Sequence, residues 1–100
     1  MTEPTAKARL FEAADLLETE DNIAAYLDAV LDEGDPSSLV AALGYFARAK
    51  GMARVAREAG LGRESLYKAL AEDGNPAFAT VHKVARALGL RFRVVAERPS

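Results

Sequence analysis

Several features that would narrow the function are missing from this sequence of 100 residues. It contains no cysteine, which excludes a disulfide framework and a thiolate metal site. No apolar run approaches the ~20 residues that a membrane-spanning helix needs, and the N-terminus lacks the pattern of a secretory signal peptide. We therefore expect a cytoplasmic protein with no membrane partner.

Signals for catalysis are also scarce. His82 is the single histidine, and no cluster of histidines and carboxylates accompanies it at the spacing of a metal site or a nucleophile triad. The glycines stand apart at predicted helix ends, so they form no phosphate-binding loop. We predict that the protein is not an enzyme and uses no metal and no cofactor. We interpret His82 as a surface or half-buried side chain.

The net charge of −2 conceals an uneven distribution along the chain. Residues 1–35 carry ten acids against two bases, a net of −8, whereas residues 36–100 carry eleven bases against five acids, a net of +6. The basic segment suits phosphate groups. The acidic segment suits a basic protein partner, or it only keeps a surface solvated.

The stretch from Met52 to Ala71 has the pattern of two short helices joined by a tight turn at Gly60. Glycine adopts positive φ at no steric cost, which lets the chain leave the first helix sharply. Small or apolar residues recur where two crossing helices would meet, at Val55, Ala56, Ala59, Leu61, Leu66 and Ala69. The pattern predicts a helix-turn-helix, which lays its second helix in the DNA major groove. The alternative is an ordinary helical pair within an all-helical domain.

The exposed side of this second helix is the predicted DNA-reading surface. It consists of Arg63, Glu64, Tyr67 and Lys68. Arg63 suits guanine or a phosphate, Glu64 suits a cytosine amino group or only supports Arg63, and Lys68 suits the backbone. Tyr67 offers a ring for a thymine methyl group and a hydroxyl for phosphate. Contacts to flanking phosphates are expected from Lys50, Arg54 and Arg57. For each charge, a merely solvated face is the alternative.

Three further helices are predicted around this pair. An amphipathic helix over about 22–33 begins at Asp21 or Asn22 as the N-cap and stops at Gly34. A second begins at Asp35 and Pro36 and ends at Gly51. A third begins at Asn75 as the cap with Pro76 as its first residue, and it stops at Gly89. Residues 1–19 hold only a weak apolar pattern, which fits a short helix or a segment that orders against a partner.

In the C-terminal tail the spacing of apolar residues changes from the helical three or four to every second residue. Apolar residues alternate along residues 90–96 at Leu90, Phe92, Val94 and Ala96, which predicts a β-strand with one apolar side. A lone strand leaves its backbone groups unpaired, so we expect it to pair with the same strand of a second copy or with the sheet edge of another protein. Packing of the tail on its own domain is the alternative. The chain then divides into an acidic segment (1–35), a helix-turn-helix domain (36–89) and a strand with its tail (90–100).

Three segments together carry a resemblance to a known family. They are IAAYLDAVLDEGDP, GLGRESLYKAL, and GNP with the helix that follows it. The chain resembles, over about residues 20–93, the HigA-like antidote proteins of addiction modules within the Xre/lambda-repressor helix-turn-helix superfamily. It departs from the common family pattern at Gly62, where serine is usual, and at Arg54, where glutamine is frequent. These departures affect the expected operator and not the fold.

The resemblance implies a lambda-repressor-like helix-turn-helix bundle of about five helices. With the acidic N-terminal helix and the short C-terminal β-strand predicted above, we expect an all-α fold class. The resemblance also implies an antitoxin that neutralises a small RelE/ParE-like toxin and, as a homodimer, represses its own operon at a palindromic operator. Because RNA-directed toxins carry basic surfaces, the expected toxin contacts are Glu18, Asp21, Tyr26, Asp28 and Asp32. Two alternatives stay open, a stand-alone repressor and a helical adaptor that does not bind DNA.

Overall fold

The computed structural model describes residues 19–97. Within this range the chain forms five α-helices and no β-strand. The helices are α1 (Glu20–Asp32), α2 (Pro36–Lys50), α3 (Met52–Ala59), α4 (Arg63–Ala69) and α5 (Phe78–Ala87). The all-α class that the sequence predicts is therefore confirmed for the described residues. The pattern noted for residues 1–19 lies almost wholly outside them.

Helix α1 begins two residues earlier than expected. Its N-cap is Thr19, whose Oγ1 accepts a hydrogen bond from the backbone N–H of Asn22 at 3.2 Å. The prediction of Asp21 or Asn22 as the cap was wrong, because a threonine hydroxyl one turn upstream already satisfies that free N–H group. Asp21 lies instead in the first turn, where its negative charge is favourable to the helix dipole. The helix ends before Gly34, which has φ of 79°.

Helix α2 follows the predicted boundaries. The carboxylate of Asp35 accepts hydrogen bonds from the Ser37 N–H at 3.1 Å, the Ser37 hydroxyl at 2.8 Å and the Ser38 hydroxyl at 2.9 Å. These bonds, that from the Ser37 side chain first, lower the pKa of Asp35 below its usual value. Pro36 is the first helical residue, where its missing N–H is not needed. Gly51, at φ of 113°, ends the helix.

The turn between α3 and α4 has a hydrogen-bonded geometry that positions α4. Gly60 is left-handed, with φ of 70° and ψ of 32°. The Leu61 N–H donates to the Ala56 carbonyl at 2.9 Å, and the Gly60 N–H donates to the Arg57 carbonyl at 3.3 Å. This pair of bonds is a Schellman motif, which satisfies the carbonyls at the end of α3. The predicted corner at Gly60 is confirmed as a turn.

Helix α5 begins later than the sequence indicates. Its N-cap is Ala77, whose carbonyl accepts from the N–H groups of Thr80 and Val81, and no side chain caps it. The prediction that Asn75 caps the helix and Pro76 opens it was wrong. The chain instead runs without helical structure through Asn75 and Pro76, and Ala77 is still extended, with φ of −63° and ψ of 153°. The predicted stop at Gly89 is confirmed, with φ of 82°.

The predicted C-terminal strand is absent from the structure. The described residues 90–97 contain no strand. Leu90 and Phe92 are half-buried and pack against the core, while Val94 is 96% exposed and Val95 is 75% exposed. The period-two pattern therefore reflects one side of the tail packing on its own helices. A strand also needs a second strand to pair with, and the described part of the chain provides none.

The core lies where α2 meets its neighbours. Helix α2 packs against α1, α3 and α5, α3 also packs against α5, and α4 packs against α3. The largest fully buried side chains are Leu43, Val55, Leu66 and Val84. No polar or charged side chain is buried within residues 19–97. The interior is thus held together by apolar packing, and the chemistry of the protein lies on its surface.

Candidate nucleic-acid interface

The register of α4 determines which of its side chains face solvent. Leu66 is completely buried, which fixes the inward side of the helix. The four residues predicted to read DNA all lie on the exposed side, with Tyr67 at 41% exposure. They are Arg63, Glu64, Tyr67 and Lys68. Positions three or four apart on a helix are neighbours, so Arg63 lies next to Tyr67, and Glu64 lies next to Tyr67 and Lys68.

Arg63 and Tyr67 contact each other on this face. The Arg63 Cζ lies 5.9 Å from the centroid of the Tyr67 ring, within the range of a cation–π interaction. The two residues are one helical turn apart, so the ring restricts the guanidinium without burying it. The sequence spacing indicated that both residues are exposed, and the structure adds that one side chain orients the other.

The bases on α3 have different surroundings. Arg57 is exposed, and the described part of the chain offers it no acidic partner within ion-pair distance. Arg54 is 60% exposed, and its Nε donates to Glu58 Oε1 at 3.1 Å, one helical turn away. Such an exposed pair contributes little to stability and leaves most of the guanidinium accessible. Arg57 and Arg54 are both available to a ligand.

Lys50 is engaged within the protein. Its Nζ lies 3.1 Å from Glu58 Oε2 and also donates a hydrogen bond to the Ala87 carbonyl. The lysine thereby joins the end of α2 to α3 and to the C-terminus of α5, where a positive charge is favourable. Hydrogen bonds from Lys50 first, and then from Arg54, lower the pKa of Glu58. Of the residues predicted to contact DNA, Lys50 is the one that is half-buried, at 27% side-chain exposure, whereas the others are exposed.

Sequence reasoning did not single out Glu58. Its pairing with Arg54 follows from a spacing of four residues on one helix, and that signal was present in the sequence. Its pairing with Lys50 crosses the break between α2 and α3 at Gly51. Only the angle at that break brings the two groups together, so no sequence pattern would have revealed this ion pair.

The acidic residues predicted to contact a partner lie mainly on the surface of α1. Asp21, Asp28 and Asp32 are exposed, whereas Glu18 lies outside the described residues. Tyr26 is half-buried, and its ring meets the Phe46 ring edge-to-face at a centroid distance of 5.6 Å. The structure thus brings the three aspartates onto one exposed helix and gives Tyr26 a packing role against α2.

A groove with both acidic and basic side chains was not anticipated. It has a volume of about 370 Å³ and lies between α1, α2, the end of α5 and the tail. Leu27, Leu31 and Leu39 are among its apolar lining residues, and Asp28, Arg91 and Arg93 supply charge. Sequence reasoning missed it because the groove is formed by four segments that come together only in the fold.

His82 belongs to an aromatic cluster and to no polar site. It is exposed, and its ring is stacked at 6.3 Å from Phe92 and lies 6.2 Å from Phe78. The prediction of a surface histidine is confirmed. Across residues 19–97, no three acidic or histidine side chains lie close enough to hold a metal ion. No described helix has the length and apolar character needed to span a membrane.

These observations define a small all-α protein that carries a cluster of charged and aromatic side chains on one exposed helix and acidic side chains on another. Residues 7–96 match the model of a family described as probable addiction module antidote protein, and the chain belongs to that family. It is also 46% identical over 94 residues to an uncharacterized protein of Haemophilus influenzae, covering 94% of this chain and 97% of that relative. No solved structure matches the chain.

Proposed function

We propose that this chain is the antitoxin of a type II toxin-antitoxin module, that it neutralises a RelE/ParE-like toxin, and that it represses its own operon by binding operator DNA. In this proposal, α3 and α4 form the helix-turn-helix of a HigA-like member of the Xre/lambda-repressor superfamily. The observation that carries it is the pair of helices joined at Gly60, with Leu66 buried and Arg63, Tyr67 and Lys68 exposed on α4. Membership of an antidote family supports the toxin-binding part.

The DNA-binding step assigns α4 to the major groove. Arg63, restricted by the Tyr67 ring, presents paired donors to guanine O6 and N7. Glu64 accepts from a cytosine amino group, and Lys68 contacts the DNA backbone together with Arg54 and Arg57 of α3. Lys50 acts indirectly in this scheme, because its ion pair with Glu58 ties the end of α2 to the last turn of α3.

The toxin-binding step assigns the exposed aspartates of α1 to a basic toxin surface. Asp21, Asp28 and Asp32 are solvated and face no base within ion-pair distance in the described residues, so a partner has only to displace water. Complementary charge accelerates such an association and selects the partner. Both steps take place where the operator is, in the cytoplasm, and neither requires catalysis by this chain.

Gel-shift titration on the DNA upstream of the gene tests the DNA-binding step. Arg63→Ala should weaken specific binding by about 5- to 150-fold, the loss expected at a base-reading arginine. Arg86→Ala removes an exposed arginine from α5 and serves as the matched control, which should bind within about twofold of wild type. Affinity should fall steeply with salt because phosphate contacts release counterions. Equal binding by both variants would show that Arg63 does not read the DNA, and the absence of a specific shift from the wild type would favour the adaptor without DNA binding.

Coexpression with the protein of the adjacent reading frame tests the toxin-binding step. Reversing two charges on α1, Asp21→Lys with Asp32→Lys, should reduce copurification and leave cells unprotected. Glu72→Lys, an exposed acid outside α1, is the control and should keep both properties. If neither the wild type nor the variants copurify with a partner, and the wild type still gives a specific gel shift, the chain is a stand-alone repressor.

A further inference from the structure

The groove between α1, α2 and the tail has walls of opposite charge. Asp28 projects from α1, whereas Arg91 and Arg93 belong to the tail, and all three line the same groove. None of them forms an ion pair with another described residue. The floor between them is apolar and includes Leu27, a residue of the core. The groove therefore has an apolar strip with an acidic side chain on one side and basic side chains on the other, and none of these forms an ion pair with a described residue.

Exposed apolar side chains continue this strip beyond the groove. Leu31, which lines it, is 45% exposed, and Val94 and Val95 in the tail are 96% and 75% exposed. The backbone of residues 91–97 forms no hydrogen bond to another described backbone group. Apolar side chains with free backbone groups beside them are typical of a surface that another chain covers.

We propose that a second copy of this chain covers the groove in a two-fold symmetric dimer, with Asp28 of each copy against Arg91 and Arg93 of the other. In an isologous interface each patch meets its own copy, so a patch must be complementary to itself. A groove that carries acid on one wall and base on the other satisfies this condition, whereas two purely acidic or purely basic patches would repel each other. The apolar residues Leu31 and Val94 would be buried between the charges.

This inference deepens the proposed function, because a two-fold operator requires two recognition helices held by one dimer. It assigns Asp28 to the dimer and leaves Asp21 and Asp32 as the aspartates of α1 that face the toxin. It also differs from the strand pairing that the sequence suggested. Leu90 and Phe92 already pack on their own core, so the surface offered to a second copy is formed by α1 and the arginines of the tail.

A charge exchange between two variants of the full-length chain tests the proposal. One variant carries Asp28→Arg, and the other carries Arg91→Asp with Arg93→Asp. Each homodimer then contains only like-charge contacts, and sedimentation equilibrium should show the dimer dissociation constant raised at least tenfold. In the mixed dimer both contacts are again of opposite charge, so mixing should restore dimers. Because a variant that fails to fold cannot be rescued by mixing, restored dimers also show that both variants are folded.

Glu33→Arg is the matched control, since it reverses an exposed acid at the C-cap of α1 that does not line the groove. It should leave the dimer unchanged. A monomeric wild-type chain would overturn the proposal, and the toxin or another segment would then be what covers the groove. Dimers that persist in either variant alone would also overturn it, as would variants that do not form dimers on mixing. A monomer that still gives a gel shift with its operator would refute the dimer and support DNA binding. Restored dimers that give no gel shift would support the dimer and refute DNA binding.

Discussion

Replacing Leu66 by alanine tests whether α4 is anchored in the register described. Leu66 has no exposed surface and lies in the core cluster, whereas its neighbour Tyr67 is 41% exposed. Removing a fully buried leucine side chain costs about 3–5 kcal/mol, through the lost transfer free energy and the cavity that remains. That is a large share of the roughly 5–15 kcal/mol by which a domain is stable.

The expected loss is large enough to read directly in denaturation curves. In a domain of this size, about 1 kcal/mol lowers the Tm by roughly 4–8 °C. Leu66→Ala should therefore lower the Tm by about 15 °C or more and shift the urea midpoint while leaving the m-value unchanged. Tyr67→Ala is the matched control and should cost less than about 1 kcal/mol, because it removes only an exposed cation–π contact.

The register of α4 is refuted if Tyr67→Ala loses more stability than Leu66→Ala. A helix rotated by one residue would bury Tyr67 and expose Leu66, so the tyrosine variant would become the unstable one. A Leu66→Ala variant that loses less than about 1 kcal/mol would show that α4 does not rest on the core. The predicted DNA-reading surface would then have no fixed orientation.

Four further predictions concern the turns and the acids. Gly60→Ala should cost about 1–2 kcal/mol, measured by urea denaturation, because alanine is strained at positive φ although nothing lies within 4 Å of its Cβ. Gly74→Ala should cost more stability than Gly60→Ala, because its Cβ would overlap the carbonyl oxygen of Ala69. An equal loss of stability would contradict this close approach of the two residues. Asp35→Ala should lower the Tm at neutral pH and lose this effect in acid. The folded-state pKa of Asp35 lies below its value in the unfolded chain, so the stabilisation is present above the unfolded value and is lost as pH falls through the folded pKa. Glu58→Gln should behave in the same way, because hydrogen bonds from Lys50 and Arg54 lower the pKa of Glu58.

The helix boundaries could be predicted where a local signal determines them. Asp35 followed by Pro36 caps and opens α2, and glycines at positive φ end α2, α3 and α5 close to where the sequence indicated. These features depend on residues adjacent along the chain. The cap at Thr19 was missed because the weak apolar pattern before α1 gave no reason to extend the helix upstream.

The tail and the ion pairs could not be predicted because their partners are distant in sequence. Alternation along residues 90–96 indicates which side chains share a side, but it does not reveal whether that side meets another strand or a helix. In the structure it meets the helices, and the Phe92 ring lies 5.6 Å from Phe78. In the sequence, Lys50 is likewise only one more base near the helix pair. The structure shows that its amino group forms an ion pair with Glu58.

Counting charges along the sequence therefore overstates the positive surface that is available for the proposed DNA binding. The basic segment has a net charge of +6, yet Glu58 alone engages two of its cations, Lys50 and Arg54. On α3 and α4 the bases without an acidic partner among the described residues are Arg57, Arg63 and Lys68. The salt dependence of binding reports how many phosphates are neutralised, with a slope of about 0.9 per contact. That slope should exclude Lys50, because a lysine already satisfied by a carboxylate and a helix C-terminus gains little from exchanging them for a phosphate. It should include Arg54, whose guanidinium stays largely exposed, together with Arg57 and Lys68.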